Sequence, residues 1–157
     1  MYKYCIYIMI EKELKISRQL PNCKRALLNV LFTSNWINDE ITSALKPFDI
    51  STQQFNVLRI LKGMKGEACS LQTIQERMIS KMSNTTRLVD KLISKGFVDR
   101  EQCESNRRKV DISITNRGLV ALERINEAVD TAESIMTDRL TKHELEDLNT
   151  LLNKIRN

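Results

Sequence analysis

The residues best suited to chemistry lie in two short segments of the chain. Ser83-Asn84-Thr85-Thr86-Arg87 places short hydrogen-bonding side chains beside a guanidinium group, and Arg107-Arg108 is a basic pair further along. Short polar side chains at the start of a helix can hydrogen-bond base edges in the DNA major groove, and guanidinium groups bind guanine or phosphate. Ser, Asn and Thr are also ordinary helix caps, so the first segment alone leaves both interpretations open.

Basic charge is concentrated around these two segments. Between Arg77 and Arg117 there are ten Lys or Arg residues and five Asp or Glu residues, a net charge of +5. The whole chain of 157 residues contains 25 Lys or Arg and 20 Asp or Glu, so its net charge is also +5. A basic stretch within an otherwise neutral chain indicates a surface for nucleic acid.

Two helices are predicted upstream of the basic stretch. Apolar residues recur at near-helical spacing over 22–46, with no Gly or Pro among them, which predicts one long helix. Ser51-Thr52-Gln53-Gln54 is a capping-box pattern, in which a hydroxyl and an amide satisfy free backbone N–H groups. It opens a second helix that is expected to end near Gly63 or Gly66.

Two shorter helices joined by a turn come next. Ser70 is expected to cap the first, residues 79–82 to form the turn, and residues 83–95 to form the second. The inward-facing residues of the second helix are expected to be Thr85, Leu88 and Leu92. Beyond Gly96 the apolar pattern alternates, which predicts strands over 97–100 and 109–114 joined by a polar loop over 101–108.

The predicted fold class is mainly α with a small β-hairpin wing. A helix over 116–139 follows the hairpin, and the capping box Thr141-Lys142-His143-Glu144 opens a final helix. Residues 50–118 would form a winged helix-turn-helix lobe. The helices within 22–46 and 119–157 would flank it, all within a single domain.

The remaining residues offer no pattern for catalysis or metal binding. The cysteines Cys5, Cys23, Cys69 and Cys103 are scattered, and His143 is the only histidine. These spacings match no familiar zinc site or disulfide framework, and neither a Ser/His/Asp set nor a glycine-rich phosphate loop is present. We therefore expect no enzyme, no metal and no cofactor, in a reduced cytoplasmic protein.

The N-terminal segment Tyr2–Ile10 is apolar with one lysine. It is too short to span a bilayer and lacks a small-residue cleavage site, so we expect a packed or frayed segment rather than a targeting signal. Met9 is an alternative start of translation.

Five ordered motifs are shared with one known family. They are Gln54-Phe55-x-Val57-Leu58-x-Ile60-Leu61, Thr86-Arg87-Leu88-Val89-Asp90-Lys91-Leu92, Lys95-Gly96-Phe97-Val98-Asp99-Arg100, Asn106-Arg107-Arg108 and Ile114-Thr115-x-x-Gly118. With these motifs in this order and spacing, the chain resembles the MarR family of transcriptional regulators. One departure is Asn106, where the family commonly has Asp, so an ion pair with the neighbouring arginine is replaced by a weaker hydrogen bond.

The resemblance implies a homodimeric, sequence-specific DNA-binding repressor whose terminal helices form the dimer interface. The expected DNA-binding residues are Lys81, Ser83, Asn84, Thr86, Arg87, Lys91, Arg107 and Arg108. The expected dimerisation residues are Leu27, Leu31, Leu140, Leu145, Leu148 and Leu152. The expected partners are double-stranded DNA, a second copy of the chain and a small-molecule effector of unknown identity, with no membrane.

Two alternatives stay open. Some relatives sense peroxide through a cysteine in the first long helix, and Cys23 beside Lys24 and Arg25 at a helix start would favour a thiolate. The tyrosines that assist such cysteines are here confined to the first seven residues. Cys103 lies in the predicted wing loop and is expected to be exposed. Its oxidation would perturb DNA contact even though Cys103 is not a dedicated sensor. The other alternative is a winged helix that contacts proteins without reading sequence.

A ligand site, by resemblance, would lie where the flanking helices meet the winged helix. Phe32, Trp36 and Phe55 are candidates for its lining, although each is equally suited to the core. No ligand-binding residue is assigned.

Overall fold

The structure, a computed structural model, describes residues 9–102 and 110–157. The chain divides into two compact units, Met1–Glu40 and Ile41–Asn157. The first unit contains α1 (Ile10–Glu13) and most of α2 (Asn22–Leu45). The sequence did not predict α1, because a helix of four residues is too short to show a period.

A buried carboxylate organises the described part of the first unit. Glu11 lies in α1, and its Oε1 accepts hydrogen bonds from Arg25 Nε at 2.8 Å and from Leu20 N at 3.3 Å. The ion pair lowers the cost of burying Glu11, since a carboxylate without a partner is strongly penalised away from water. Glu11 therefore connects α1 to the first turns of α2.

The long helix α2 confirms the prediction over 22–46 except at its last residue. It ends at Leu45 because Pro47 disfavours helical backbone at the residue before it. A 3-10 turn over Lys46–Phe48 follows. The capping box at Ser51 is also confirmed, since Ser51 Oγ accepts from Gln54 N at 3.2 Å and Gln54 Oε1 accepts from Ser51 N at 2.9 Å.

The second unit contains the winged helix and the C-terminal helices. Its elements in chain order are α3 (Thr52–Gly63), α4 (Leu71–Arg77), α5 (Thr85–Ser94), β1 (Val98–Gln102), β2 (Val110–Ile114), α6 (Asn116–Thr137) and α7 (Lys142–Arg156). Helix α3 is central, since it packs against α4, α5, α6 and β2. The fully buried core residues include Leu45, Leu58, Ile74, Val89, Leu92, Val98, Ile112, Leu122 and Ile125.

The two strands form an antiparallel hairpin. Val98 pairs with Ile114 and Gln102 with Val110, so β1 extends beyond the predicted strand over 97–100. Cys69 forms an isolated bridge to Ile112, with backbone N···O distances of 2.9 and 3.0 Å in the two directions. The tip of the predicted wing, residues 103–109, lies outside the described residues.

Helices α6 and α7 come after the hairpin in the chain, and their bounds are close to the predicted ones. Helix α6 buries Leu122, Ile125 and Val129 on one side and ends at Thr137, two residues before the predicted end at Arg139. Helix α7 begins at a complete capping box between Thr141 and Glu144. No residue of α7 is buried within the described range 110–157, although the helix carries a leucine stripe.

Gly118 lets the first turn of α6 lie directly against the backbone that leads into β1. A Cβ at Gly118 would lie 2.1 Å from the Phe97 carbonyl oxygen, far inside contact distance. Thr115 caps the helix, because its Oγ1 accepts from Gly118 N at 2.9 Å and donates to Gly96 O at 2.8 Å. The Thr115-x-x-Gly118 spacing therefore joins α6 to the end of α5 and the start of β1.

We predict that Gly118→Ala lowers the free energy of unfolding by about 1–3 kcal/mol, because the added methyl group forces α6 away from Phe97. Urea denaturation followed by circular dichroism measures this. Gly63→Ala is the matched control, since no atom lies within 4 Å of its added methyl and alanine favours helix. Equal effects of the two substitutions would contradict the prediction.

Candidate DNA interface

An open groove runs along the first turns of α5. Its volume is about 380 Å³, and its lining comes from α3, the α4–α5 turn and α5. The lining residues are Gln53, Ser80, Met82, Ser83, Asn84, Arg87, Leu88 and Lys91. Two cationic groups and several short hydrogen-bonding groups thus share one concave surface, which suits a polyanion with polar edges.

The groove brings together four of the eight residues predicted to bind DNA. Ser83, Asn84, Arg87 and Lys91 line it. Thr86 is exposed on α5, and Lys81 is exposed in the turn, but neither lines the groove. Arg107-Arg108, like Cys103 and Asn106, lies outside the described residues.

The predicted helix start at Ser83 is wrong by two residues. Asn84 is the N-cap, and its Oδ1 accepts a hydrogen bond from Arg87 N at 3.1 Å. Helix α5 therefore begins at Thr85. Capping uses the amide oxygen of Asn84, which leaves its two amide hydrogens as donors toward the groove.

The inward face of α5 also differs from the prediction in one residue. Thr85 and Leu92 are buried as predicted, and the third buried residue is Val89 rather than Leu88. Spacing of i, i+4, i+7 centres the buried face on Thr85, Val89 and Leu92, and it moves Leu88 to the edge. Leu88 is half-buried and contributes apolar surface to the groove.

One amide side chain holds the turn that precedes α5. Gln75, on α4, donates from Nε2 to the backbone oxygen of Lys81 at 2.7 Å. Its Oε1 accepts from the hydroxyl of Thr85, the first residue of α5. At the other end of the turn, Ile79 N donates to Asn56 Oδ1 at 3.3 Å. The turn is therefore attached to both α3 and α4.

Lys81 has a partner within the chain. Its Nζ donates to the carbonyl oxygen of Glu76 at 2.5 Å, near the C-terminus of α4. Cations favour this position because helix C-termini carry free carbonyl groups and partial negative charge. A phosphate contact by Lys81 would compete with this hydrogen bond.

Two ion pairs attach the outer part of α5 to neighbouring segments. Arg100, on β1, lies 2.7 Å from Asp90 Oδ1. Lys95, just after α5, pairs with Asp49 in the segment before α3, and its hydrogen bond lowers the pKa of that carboxyl. Both pairs are partly exposed, so they orient α5 more than they stabilise it.

Sequence reasoning missed five residues of this region. Gln75 supports the groove, and four others line it: Gln53, Ser80, Met82 and Leu88. In the sequence Gln53 stands out only as part of a capping box, and the position of Gln75 six residues before Lys81 carries no periodic signal. Met82 has a signal in the sequence, since a large apolar residue stands in a polar turn.

The other residues singled out by sequence are distributed through the chain. Cys23 is exposed, and Cys69 is buried, which raises the pKa of its thiol. His143 is exposed, with Nε2 3.6 Å from Asp147 Oδ2. The aromatic candidates differ in exposure: Phe55 is buried, whereas Phe32 and Trp36 are each about two-fifths exposed.

No group of three or more His, Cys, Asp or Glu residues within 9–102 and 110–157 could hold a metal ion. None of the helices in these ranges combines the length and the apolar character that a membrane crossing requires.

Comparison with known proteins places this arrangement in a family. The sequence model of the MarR family matches residues 50–110, which span α3, α4, α5 and the first strand. The multiple antibiotic resistance protein MarR of Escherichia coli K12 is 28% identical over 113 residues, covering 71% of this chain and 76% of that protein. The family model and this relative support a MarR-family winged-helix regulator.

Further relatives agree with this MarR-family assignment. The HTH-type transcriptional repressor MdtR of Bacillus subtilis is 29% identical over 112 residues, 71% of this chain and 70% of that protein. A mutant Escherichia coli MarR, solved as a complex with operator DNA, is 25% identical. It aligns with a TM-score of 0.74 over 88% of this chain and 99% of its own. Because the relatives are transcriptional regulators, this chain is a regulator and not an enzyme, as the sequence predicts.

We predict that Gln75→Ala lowers the free energy of unfolding by about 1–3 kcal/mol, because it leaves the buried Thr85 hydroxyl without its acceptor. Urea denaturation measures the loss. Gln72→Ala, on the same helix, removes only an exposed hydrogen bond to Glu76 and is expected to cost less than about 0.5 kcal/mol. If both variants unfold at the same urea concentration, Gln75 does not hold the turn.

Proposed function

We propose that this protein is a homodimeric repressor that reads a pseudo-palindromic operator with α5 and responds to a small-molecule effector. The observation that carries the proposal is the groove at the start of α5, where Ser83, Asn84, Arg87 and Lys91 converge. The relative solved as a complex with operator DNA supports DNA binding, since its fold aligns with most of this chain. No cofactor is part of the proposal.

In this proposal α5 enters the major groove with its N-terminal end toward the bases. Asn84 and Thr86 are short donors and acceptors on the outer side of the helix, which suits base edges. Arg87 follows one residue later and reaches either a guanine or a phosphate. Lys91, one turn further along α5, lies where a phosphate contact would fix the register without reading sequence.

The wing is proposed to flank this contact. Strand β1 follows the end of α5, β2 pairs with it in the antiparallel direction, and Arg100 of β1 is tied to Asp90 of α5. Arg107 and Arg108 belong to the connecting segment, and we propose that at least one of them binds phosphate or an adjacent minor groove.

A homodimer is proposed from apolar surface that one chain leaves uncovered. In the second unit, Leu148 of α7 is 44% exposed and Leu140 just before α7 is 39% exposed, while Leu145 and Leu152 are half-buried. In the first unit, Leu27 and Leu31 of α2 are more than half exposed. Exposed leucines repeated along helices favour association, because burying each removes apolar surface from water. Two copies of α5 would then read half-sites about one helical turn apart.

The proposal assigns no chemical identity to the effector. One alternative function is supported by a separate observation, the exposure of a cysteine. Cys23 is exposed at the second residue of α2, where an oxidant could reach it. A peroxide-sensing repressor of the same fold is therefore the second candidate. Organic hydroperoxide added to the protein–DNA complex tests this candidate, because a Cys23 sensor releases DNA and Cys23→Ser abolishes that release. A cytoplasmic location accords with either.

We predict that Arg87→Ala weakens binding to its operator by about 1–3 kcal/mol. Fluorescence anisotropy on DNA from immediately upstream of the gene, with scrambled DNA for comparison and a salt series, measures this. If Arg87 reads a base, the preference for upstream DNA changes; if it holds phosphate, binding weakens on all DNA and the salt slope falls by about one.

The matched control for this prediction is Arg59→Ala. Arg59 is an exposed arginine of α3 that lies over the Phe55 ring and lines no part of the α5 groove. Arg59→Ala removes one positive charge from the same unit as Arg87→Ala does, so it reports the effect of net charge alone on DNA affinity. Equal losses for Arg59→Ala and Arg87→Ala would remove α5 from the interface.

We predict that Leu148→Glu converts the dimer into monomers at micromolar concentration, because it places a charge in the proposed apolar interface. Light scattering measures the mass, and circular dichroism checks that the fold persists. Asn149→Glu introduces the same residue at the neighbouring exposed position of α7 and is expected to leave the dimer intact. A dimeric Leu148→Glu variant would place the interface elsewhere.

A further inference from the structure

Two large apolar side chains stand almost fully in solvent beside the α5 groove. Met82 is 96% exposed and Ile79 is 87% exposed, and both belong to the turn between α4 and α5. Their neighbours in the turn are polar: Ser80, Lys81 and Ser83. A single exposed apolar residue is ordinary, whereas two such residues in one turn of a polar surface point to a partner.

Of these two residues, Met82 is the one that lines the groove. It shares the lining with Gln53, Ser83, Arg87 and Lys91, and it lies two residues before the N-cap of α5. Ile79 lies outside the lining. The position of Met82 therefore corresponds to the end of α5 that faces base edges in the proposed function.

The backbone on both sides of Met82 is held in place. The oxygen of Lys81 accepts from Gln75 Nε2 at 2.7 Å, and Ser83 N donates to Ser80 O at 3.2 Å. The flexible thioether side chain thus extends from an anchored backbone. Such a side chain adapts its shape to an apolar surface at little cost to the fold.

The charge around Met82 favours DNA over a protein as the partner. Lys81, Arg87 and Lys91 are exposed cations near it, and none of the described residues that line the groove carries a carboxylate. A polyanion is attracted to such a surface. The apolar group that a base edge offers in the major groove is the C5 methyl of thymine.

We propose that Met82 is a specificity-determining residue whose side chain packs against the C5 methyl of a thymine in each half-site. The inference rests on the proposed function, since it requires α5 in the major groove. Contact removes the methyl group and the thioether from water together, which favours thymine over a base that lacks the methyl. The hydrogen-bonding residues of the groove read the remaining bases.

The test compares thymine with deoxyuridine, which differs by that methyl group alone. Wild-type protein selects its preferred sequence from a library of random duplex DNA. Each thymine of the selected half-site is then replaced by deoxyuridine, in both half-sites at once. Affinities are measured by fluorescence anisotropy for wild type, Met82→Ala and Ile79→Ala, and circular dichroism verifies that the variants are folded.

We expect one thymine position at which deoxyuridine weakens wild-type binding by about fourfold per half-site, the factor for burying one methyl-sized group. Met82→Ala is expected to bind the two DNAs equally at that position. Ile79→Ala, the matched control, is expected to keep the full difference, because its side chain lies outside the groove.

Three results would overturn the proposal: no position sensitive to deoxyuridine, a selected half-site without thymine, or a deoxyuridine penalty that persists in Met82→Ala. In each of these three cases, the proposed function still holds if binding to the selected sequence depends on Arg87. A library from which no sequence is enriched overturns the proposed function itself, and the role of Met82 with it.

Discussion

The interior face of α5 is the constraint on which the rest of this molecule depends. Val89 and Leu92 are fully buried, and the hydroxyl of Thr85 is bonded to Gln75 on the preceding helix. Fixing these three residues inward fixes the rotation of the helix about its axis. Arg87 and Lys91 must then face outward, so burial of the apolar side determines the chemistry that the polar side presents.

Elements around α5 serve this orientation in different ways. The core formed with α3 and α4 supplies most of the stabilisation, since apolar burial outweighs exposed ion pairs. The ion pairs Arg100–Asp90 and Lys95–Asp49 help to set the orientation of α5, because each links α5 to one neighbouring segment. Gly118 permits the close approach of α6 to the backbone of Phe97, which closes the winged helix from the other side.

The exposed apolar surface of the flanking helices suits a different kind of partner from the exposed side chain of Met82. Helix α7 buries no residue within the described range, yet it repeats leucines along its length, which is typical of a helix completed by another subunit. Met82 instead lines a basic groove together with Arg87 and Lys91. A continuous stripe suits a protein interface, and an apolar side chain within a basic groove suits a methyl group on DNA.

The order and type of nearly all elements follow from the amino-acid sequence, because capping boxes, helix-ending residues and apolar period are local properties. Packing in three dimensions determines that Asn84 caps α5, that Val89 rather than Leu88 is buried, and that Gln53 and Met82 join the groove. Each of these depends on how α5 rotates against α3 and α4. That rotation is set by packing between residues distant in sequence, which no local pattern records.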